Sequence, residues 1–215
     1  VADRAVSQPD LITQNKVLVH IDVDPAEIGK NAGPTIPLVG DAKNIFAEFL
    51  KQEFESDYKD WISSLEEYRS TMTIKRSPNP DFVDPADFIT RLSEKMDDDA
   101  VYVADVGQNQ IWCANNFQIK EGRFLTTGGM GTMGYSVPAA MGAKFARPDR
   151  QVVAVCGDGS FQMGMNELGT IAQNHLNVKI IIMRNDRLGM VRELQKNHYN
   201  AHYTATFLDE ETPNF

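Results

Sequence analysis

An α/β fold on a doubly wound parallel sheet is what most of this chain predicts, and three observations predict it. Short apolar runs near 100–106, 123–127, 151–156 and 178–184 have the length and β-branched content of buried strands. Amphipathic stretches of helical period lie between them. Polar or glycine-bearing punctuation closes each run, and in an open parallel sheet such exits gather at the carboxyl edge, where ligands bind.

The elements follow in order. Residues 16–22 read as a strand, and 23–28 as a short helix with Asp24 as cap and Pro25 at its first position. Residues 36–40 read as a second short strand, and 41–54 as a helix with Ile45, Phe46, Phe49 and Leu50 on its apolar side. Two strands cannot close a core of their own, so 1–55 reads as part of a second α/β domain. Residues 56–83 read as a charged linker, in which Trp61, Leu65 and Tyr68 at helical spacing would pack on a neighbouring domain. Ser77-Pro78-Asn79-Pro80 breaks it. The main unit, 84–215, opens at Asp84-Pro85-Ala86-Asp87, an aspartate cap, an N1 proline and an acidic first turn. Its first helix should end near Met96, later ones should span about 136–145 and 161–173, and Gly107-Gln108-Asn109-Gln110 should turn out of the first strand.

Composition limits the function classes. The 215 residues carry a net charge of −9 and are 42% hydrophobic. An acidic chain is a poor partner for nucleic acid or an anionic membrane. No apolar run approaches the roughly 20 residues of a membrane span, and Val1 opens no cleavable leader. Cys113 and Cys156 offer no disulfide framework, so a reducing compartment is expected, the cytoplasm or an organelle stroma. His175, His198 and His202 are not spaced with acidic neighbours as a metal or triad set.

The chemistry concentrates in Gly157-Asp158-Gly159-Ser160, with 25 residues between Gly159 and Asn185. Strand, helix and strand in this order place Asp158 and Asn185 at neighbouring strand ends. A carboxylate and an amide oxygen suit a magnesium-sized ion that shares its shell with phosphate, and Gly159 has no side chain to obstruct a diphosphate. The alternative is a strand turn with a glycine at positive φ and Asn185 as a turn residue. Gly129-Met130-Gly131-Thr132-Met133-Gly134 fits the dinucleotide fingerprint literally. However, Asp149, which has the spacing of the ribose-binding acid, precedes the next strand instead of ending it.

Gly157-Asp158-Gly159-Ser160-Phe161-Gln162-Met163, Met165-Asn166-Glu167-Leu168 and Leu188-Gly189-Met190-Val191-Arg192 together resemble the thiamine-diphosphate (ThDP) enzymes, and within them the acetolactate synthase (acetohydroxyacid synthase) large catalytic subunits. The resemblance covers about 16–50 and 84–215. It implies condensation of two 2-ketoacids, pyruvate with pyruvate or 2-ketobutyrate, with loss of CO2, in branched-chain amino-acid biosynthesis. It also implies a homodimer or homotetramer, with a possible small regulatory subunit. Pyruvate oxidase, glyoxylate carboligase or a non-catalytic diphosphate-binding module are the alternatives on the same scaffold. Carried over, Mg2+ would be held by Asp158, Asn185 and the backbone carbonyl of Arg187. Val106, Gly107, Gln108 and Asn109 would lie over the diphosphate, with Asn109 in place of the usual histidine and still able to donate to a phosphate oxygen. Gly157, Gly159 and Ser160 would lie beside it. Gly131 and Met133 would contact the aminopyrimidine, Met163 would be the wedge beneath the bent cofactor, and Leu188, Gly189 and Met190 would line it. The family's tryptophan four positions after that methionine is Leu194 here, which puts the second substrate in question. The activating glutamate belongs to an N-terminal domain that nothing in this sequence resembles, so no catalytic carboxylate is expected within it. The block from His20 to Asn31, with Asp3-Arg4 before it, is similar to the end of the family's FAD-bearing central domain. There Asp22 either accepts a nucleotide hydroxyl or is a solvated turn residue.

Overall fold

A computed structural model describes residues 13–33, 35–53, 57–72 and 81–208. The chain divides into two compact units, 1–74 and 75–215. Asp3-Arg4 and Ser77-Pro78-Asn79-Pro80 lie outside the described residues.

The first unit holds a parallel pair, β1 (Leu18–Asp22) and β2 (Thr35–Val39), in register from Leu18 opposite Thr35 to Asp22 opposite Val39. Asp24 caps a 3-10 turn by accepting from the Ala26 N–H at 2.8 Å, and Pro25 supplies its fixed φ. Asp41 caps α1 (Ala42–Phe49) through the Lys43 N–H at 2.9 Å. The helix therefore ends short of the expected Phe54, which lies outside the described residues. Trp61, Leu65 and Tyr68 lie on α2 (Lys59–Thr71), all exposed. None of this unit's described residues is buried. A two-stranded sheet of this kind does not stand alone in water.

The second unit is the doubly wound domain. Its strands are β3 (Val101–Ala104), β4 (Arg123–Thr126), β5 (Val152–Gly157) and β6 (Val178–Met183), all parallel in the order β4-β3-β5-β6. Alternation along the strands supplies both faces of the sheet. Tyr102, Ala104, Val153 and Val155 meet α3 (Pro85–Lys95) and α4 (Gln108–Asn116) through Ile89 and Cys113. Val101, Val103, Val152 and Ala154 meet α5 (Ser136–Ala146) through Ala140. On that same side, Cys156 packs with Val137, Met141 and Phe161. The result is three layers, helix–sheet–helix.

Two elements depart from the sequence reading. The segment expected as one helix over 161–173 is α6 (Asp158–Gly164), a 3-10 turn (Met165–Glu167) and α7 (Leu168–Gln173). Gly164 sits where α6 closes on the next layer, since a Cβ there would lie 3.4 Å from the Gly134 carbonyl oxygen. Gln108, Asn109 and Gln110 begin α4 instead of forming a turn. Residues 186–208 carry α8 (Gly189–His198) and a return segment that pairs with the chain at Arg187.

Gly122 permits the tight entry into β4. A Cβ there would fall 1.9 Å from the Ala100 carbonyl oxygen, which accepts the Arg123 N–H at 3.1 Å. The obstacle is backbone, so Gly122→Ala is expected to cost about 2 kcal/mol or more, measured by urea unfolding.

Candidate functional site

The chain winds outward from β3 to β4, then returns across β3 to lay down β5 and β6. The winding direction therefore reverses between β3 and β5, and their carboxyl ends form the crevice of the switch point. A cleft of about 260 Å3 opens there. From the exit of β3 it is lined by Val106, Gly107, Gln108 and Asn109. The β5 exit adds Gly157, Asp158, Gly159 and Ser160, and the β6 exit adds Asn185, Arg187, Leu188, Gly189 and Met190. Gly131 and Met133 reach it from the loop after β4. Met163 is the one sequence-predicted site residue not in this lining. It is 62% exposed, with its backbone against Gly134. Sequence reasoning missed Trp112 and Met183 as lining residues. Trp112 was findable, one helical turn after Gln108 on the same face.

Asp158 organises the β5 and β6 exits. β5 runs extended through Gly157 (φ −77°, ψ 159°), and α6 begins at the next residue. The alternative, a strand turn with a glycine at positive φ, is therefore absent from Gly157-Asp158-Gly159. The Asp158 carboxylate is 1% exposed. One oxygen accepts the Gly159 N–H at 3.0 Å, while the other accepts Asn185 N–H at 3.3 Å and Asp186 N–H at 2.7 Å. This is possible because Gly157 pairs with Met183, which levels the two strand ends. Asp186 is held at φ +54°, and the Asn185 side-chain oxygen accepts the Arg187 N–H at 3.0 Å. Leu188 N–H donates to the Thr206 carbonyl at 2.9 Å and Leu208 N–H to the Asp186 carbonyl at 3.0 Å. These bonds flank the Arg187–Phe207 bridge, so the Arg187 carbonyl faces away from the return segment.

The donor set fits a hard divalent cation. A carboxylate at the β5 exit lies beside an amide oxygen and a backbone carbonyl at the β6 exit, and each keeps lone pairs after its protein contacts. Among the described residues no group of three His, Cys, Asp or Glu side chains gathers to hold a metal, at this cleft or elsewhere.

The β3 exit is pinned separately. Asp105, fully buried, accepts the Val106 N–H at 3.0 Å and the Ser136 N–H at 2.8 Å. Its charge thus lies at the start of α5, where an anion is favoured. Gly107 has φ +129°, a region open to glycine. Asn109 corrects an expectation. Its side-chain N–H groups donate to the carbonyls of Asp105 (3.1 Å) and Val155 (3.4 Å), joining β3 to β5. Both amide hydrogens are committed to the protein, so none is directed at a phosphate oxygen. Asn109→Leu is accordingly expected to cost about 1–3 kcal/mol of stability in urea unfolding, with a smaller effect on ligand affinity.

Close packing sets the floor of the cleft. A Cβ on Gly159 would sit 3.0 Å from Leu188 Cδ2, and one on Gly189 2.2 Å from Gln108 Oε1. The dinucleotide alternative finds no support here. Asp149 precedes β5, at the other end of the sheet, and Arg147 holds it with bonds of 3.1 and 2.7 Å. The cysteines are not nucleophiles. Burial pushes the Cys113 thiol up to about 11 and the Cys156 thiol up to about 12.

Comparison with known proteins agrees with this geometry. Residues 105–215 match the family described as thiamine pyrophosphate enzyme, C-terminal TPP binding domain. An acetolactate synthase of Arthrospira platensis is 41% identical over 221 residues, covering 99% of this chain and 38% of its own length. The acetolactate synthase large subunit of Lactococcus lactis subsp. lactis is 37% identical over 215 residues, 99% of this chain and 37% of its own. An acetolactate synthase of Mycobacterium leprae is 40% identical over 214 residues, 96% of this chain and 34% of its own. The chain spans little more than a third of the length of these relatives. With a cleft at the switch point, an aspartate and an asparagine at adjoining strand ends and a family match over the same residues, this chain belongs to the thiamine pyrophosphate enzymes.

Proposed function

We propose that this chain is the diphosphate- and magnesium-binding part of an acetolactate synthase-type carboligase, acting on 2-ketoacids in branched-chain amino-acid biosynthesis. The observation that carries the reading is the Asp158 carboxylate, buried at the switch point and bonded to the turn that bears Asn185. Asp158, Asn185 and the Arg187 carbonyl would hold Mg2+, which would supply positive charge against the diphosphate. The bound thiamine diphosphate supplies the electron sink for decarboxylation and carbon–carbon bond formation. The protein's part is to bind and orient. Val106, Gly107 and Gln108 bound the diphosphate on one side, with Gly157, Gly159 and Ser160 on the other. Met133 and Gly131 face the pyrimidine side, and Leu188, Gly189 and Met190 close the apolar wall. Met133, which lines the cleft, is better placed than Met163 to support the cofactor from below.

Residues 1–55 then belong to a central domain, 56–83 to a linker and 84–215 to the diphosphate domain. FAD finds little among the described residues: Asp22, at the end of β1, already accepts the Asp24 N–H at 2.9 Å. No step is assigned to it. The assembly proposed is a homodimer or homotetramer with a small regulatory subunit, in the cytoplasm or an organelle stroma. No helix among the described residues is long and apolar enough to cross a membrane.

A second reading has one observation in its favour. Leu194 lines the cleft at the position where the resemblance implies tryptophan, so the second substrate can differ, as in pyruvate oxidase or glyoxylate carboligase. A product assay of the full-length protein with pyruvate decides. Acetolactate, read as acetoin after acid decarboxylation, supports the carboligase. Oxygen uptake with acetyl phosphate formation, or turnover of glyoxylate alone, contradicts it.

A further inference from the structure

Beyond the rim of the cleft lies a second, more open cavity of about 360 Å3. It shares Gln108, Asn185, Arg187 and Gly189 with the cleft and adds Arg192, Lys196 and Tyr203. We propose that Arg187, Arg192 and Lys196 form an oxyanion subsite here that takes a phosphate-class group.

Three cations border this cavity in a chain whose net charge is −9. The one carboxylate in its lining, Glu193, accepts the Gln108 side-chain N–H at 3.1 Å. Among the described residues none of the three cations is in an ion pair, although arginines 147, 150 and 184 are. Arg192 and Lys196 are four residues apart on α8 and so project on one side of the helix.

Arg192 is also set in place. Its guanidinium lies 3.6 Å from the centre of the Tyr203 ring. Gln195 holds that ring's segment by donating to the Thr204 carbonyl at 2.9 Å and accepting the Thr204 N–H at 3.2 Å. Stacking on an aromatic face leaves the in-plane N–H fork free for two oxygens of one anion. Arg187 is similarly stacked on Phe207, at 4.8 Å. Lys196, exposed, adds a movable charge. A planar fork, a second stacked guanidinium and a flexible ammonium around one cavity suit a tetrahedral oxyanion.

That oxyanion can be the outer phosphate of the proposed cofactor, whose diphosphate end the cavity adjoins, or a free phosphate. Only the first of these depends on the cofactor reading. The test is calorimetric titration of the full chain, its Arg192→Gln variant and its Lys196→Gln variant. Three ligands are used: inorganic phosphate alone, and thiamine diphosphate and thiamine monophosphate, each with Mg2+. If the cofactor supplies the group, each variant weakens thiamine diphosphate binding about fivefold or more, the scale of losing one charge-assisted contact, and leaves the monophosphate unchanged. If a free oxyanion is the ligand, phosphate binds the parent chain and is lost in both variants while thiamine diphosphate affinity holds. Phosphate binding without any thiamine diphosphate binding would sink the cofactor reading and keep the subsite. Equal binding of all three ligands by parent and variants, or no binding of any, overturns the subsite. Lys196→Gln leaves the Arg192–Tyr203 stack intact, so its result does not depend on that packing.

Discussion

Asp158→Ala is expected to abolish magnesium-dependent thiamine diphosphate binding and to cost about 3 kcal/mol of stability. The two effects have one origin. The carboxylate is 1% exposed and satisfies three backbone N–H groups, two of them on the β6 exit. Alanine removes the anionic ligand of the proposed metal and leaves those donors buried without partners. The turn bearing Asn185 and the Arg187 carbonyl then loses its anchor, so the remaining ligands are displaced as well. Asp158→Asn separates the contributions. It keeps the volume and one acceptor oxygen, but it removes the charge and turns an N–H2 toward one set of donors. It should therefore retain more stability than the alanine variant while still failing to bind the Mg2+–cofactor pair. Calorimetry for binding and urea unfolding for stability read the two effects. Unchanged affinity in Asp158→Ala contradicts the metal assignment.

The second large effect is catalytic silence: this chain alone should show no acetolactate synthase activity. Proton transfer at the proposed cofactor needs a carboxylate beside its pyrimidine. The one carboxylate lining the cleft among the described residues is Asp158, and it is committed to backbone N–H groups and, as proposed, to the metal. Glu167 lies in the 3-10 turn after α6, outside the cleft lining, and accepts from the Asn166 side chain at 3.4 Å. Missing general acid–base help typically costs about 10²–10⁴-fold. An open cleft that does not exclude water removes more. Purified chain with pyruvate, thiamine diphosphate and Mg2+ should give no acetoin after acid treatment. Turnover within about tenfold of typical enzyme rates, near 10 s⁻¹, would show that a working carboxylate lies in this sequence after all.

Much of this was legible in the sequence, for physical reasons. The central strands β3 and β5 are short apolar runs buried on both faces, and a pattern of that kind has few other homes. Asp84 and Asp24 announced their helices because a cap is a local bond within three residues. The cleft residues were found because strand exits in a parallel sheet share one edge. What escaped depends on contacts distant in sequence. Asn109 spends its amide hydrogens on Val155, 46 residues away, as well as on Asp105, and no local pattern encodes that choice. Gly157-Asp158-Gly159 reads as a turn from its composition, but the β5–β6 register carries the strand through Gly157. The return of Thr206 and Leu208 onto Leu188 and Asp186 is a tertiary pairing with no periodic signal.

The most direct test of the central claim, that the cleft between the β3 and β5 exits binds Mg2+ and thiamine diphosphate together, uses the tryptophan in its wall. The chain has two tryptophans; Trp61→Phe leaves Trp112 as the only reporter. Titration of that variant with thiamine diphosphate is predicted to quench Trp112 saturably with Mg2+ present and not with a chelator in its place. Quenching that is identical with the chelator, or no saturable change with Mg2+ at any cofactor concentration, would contradict the account.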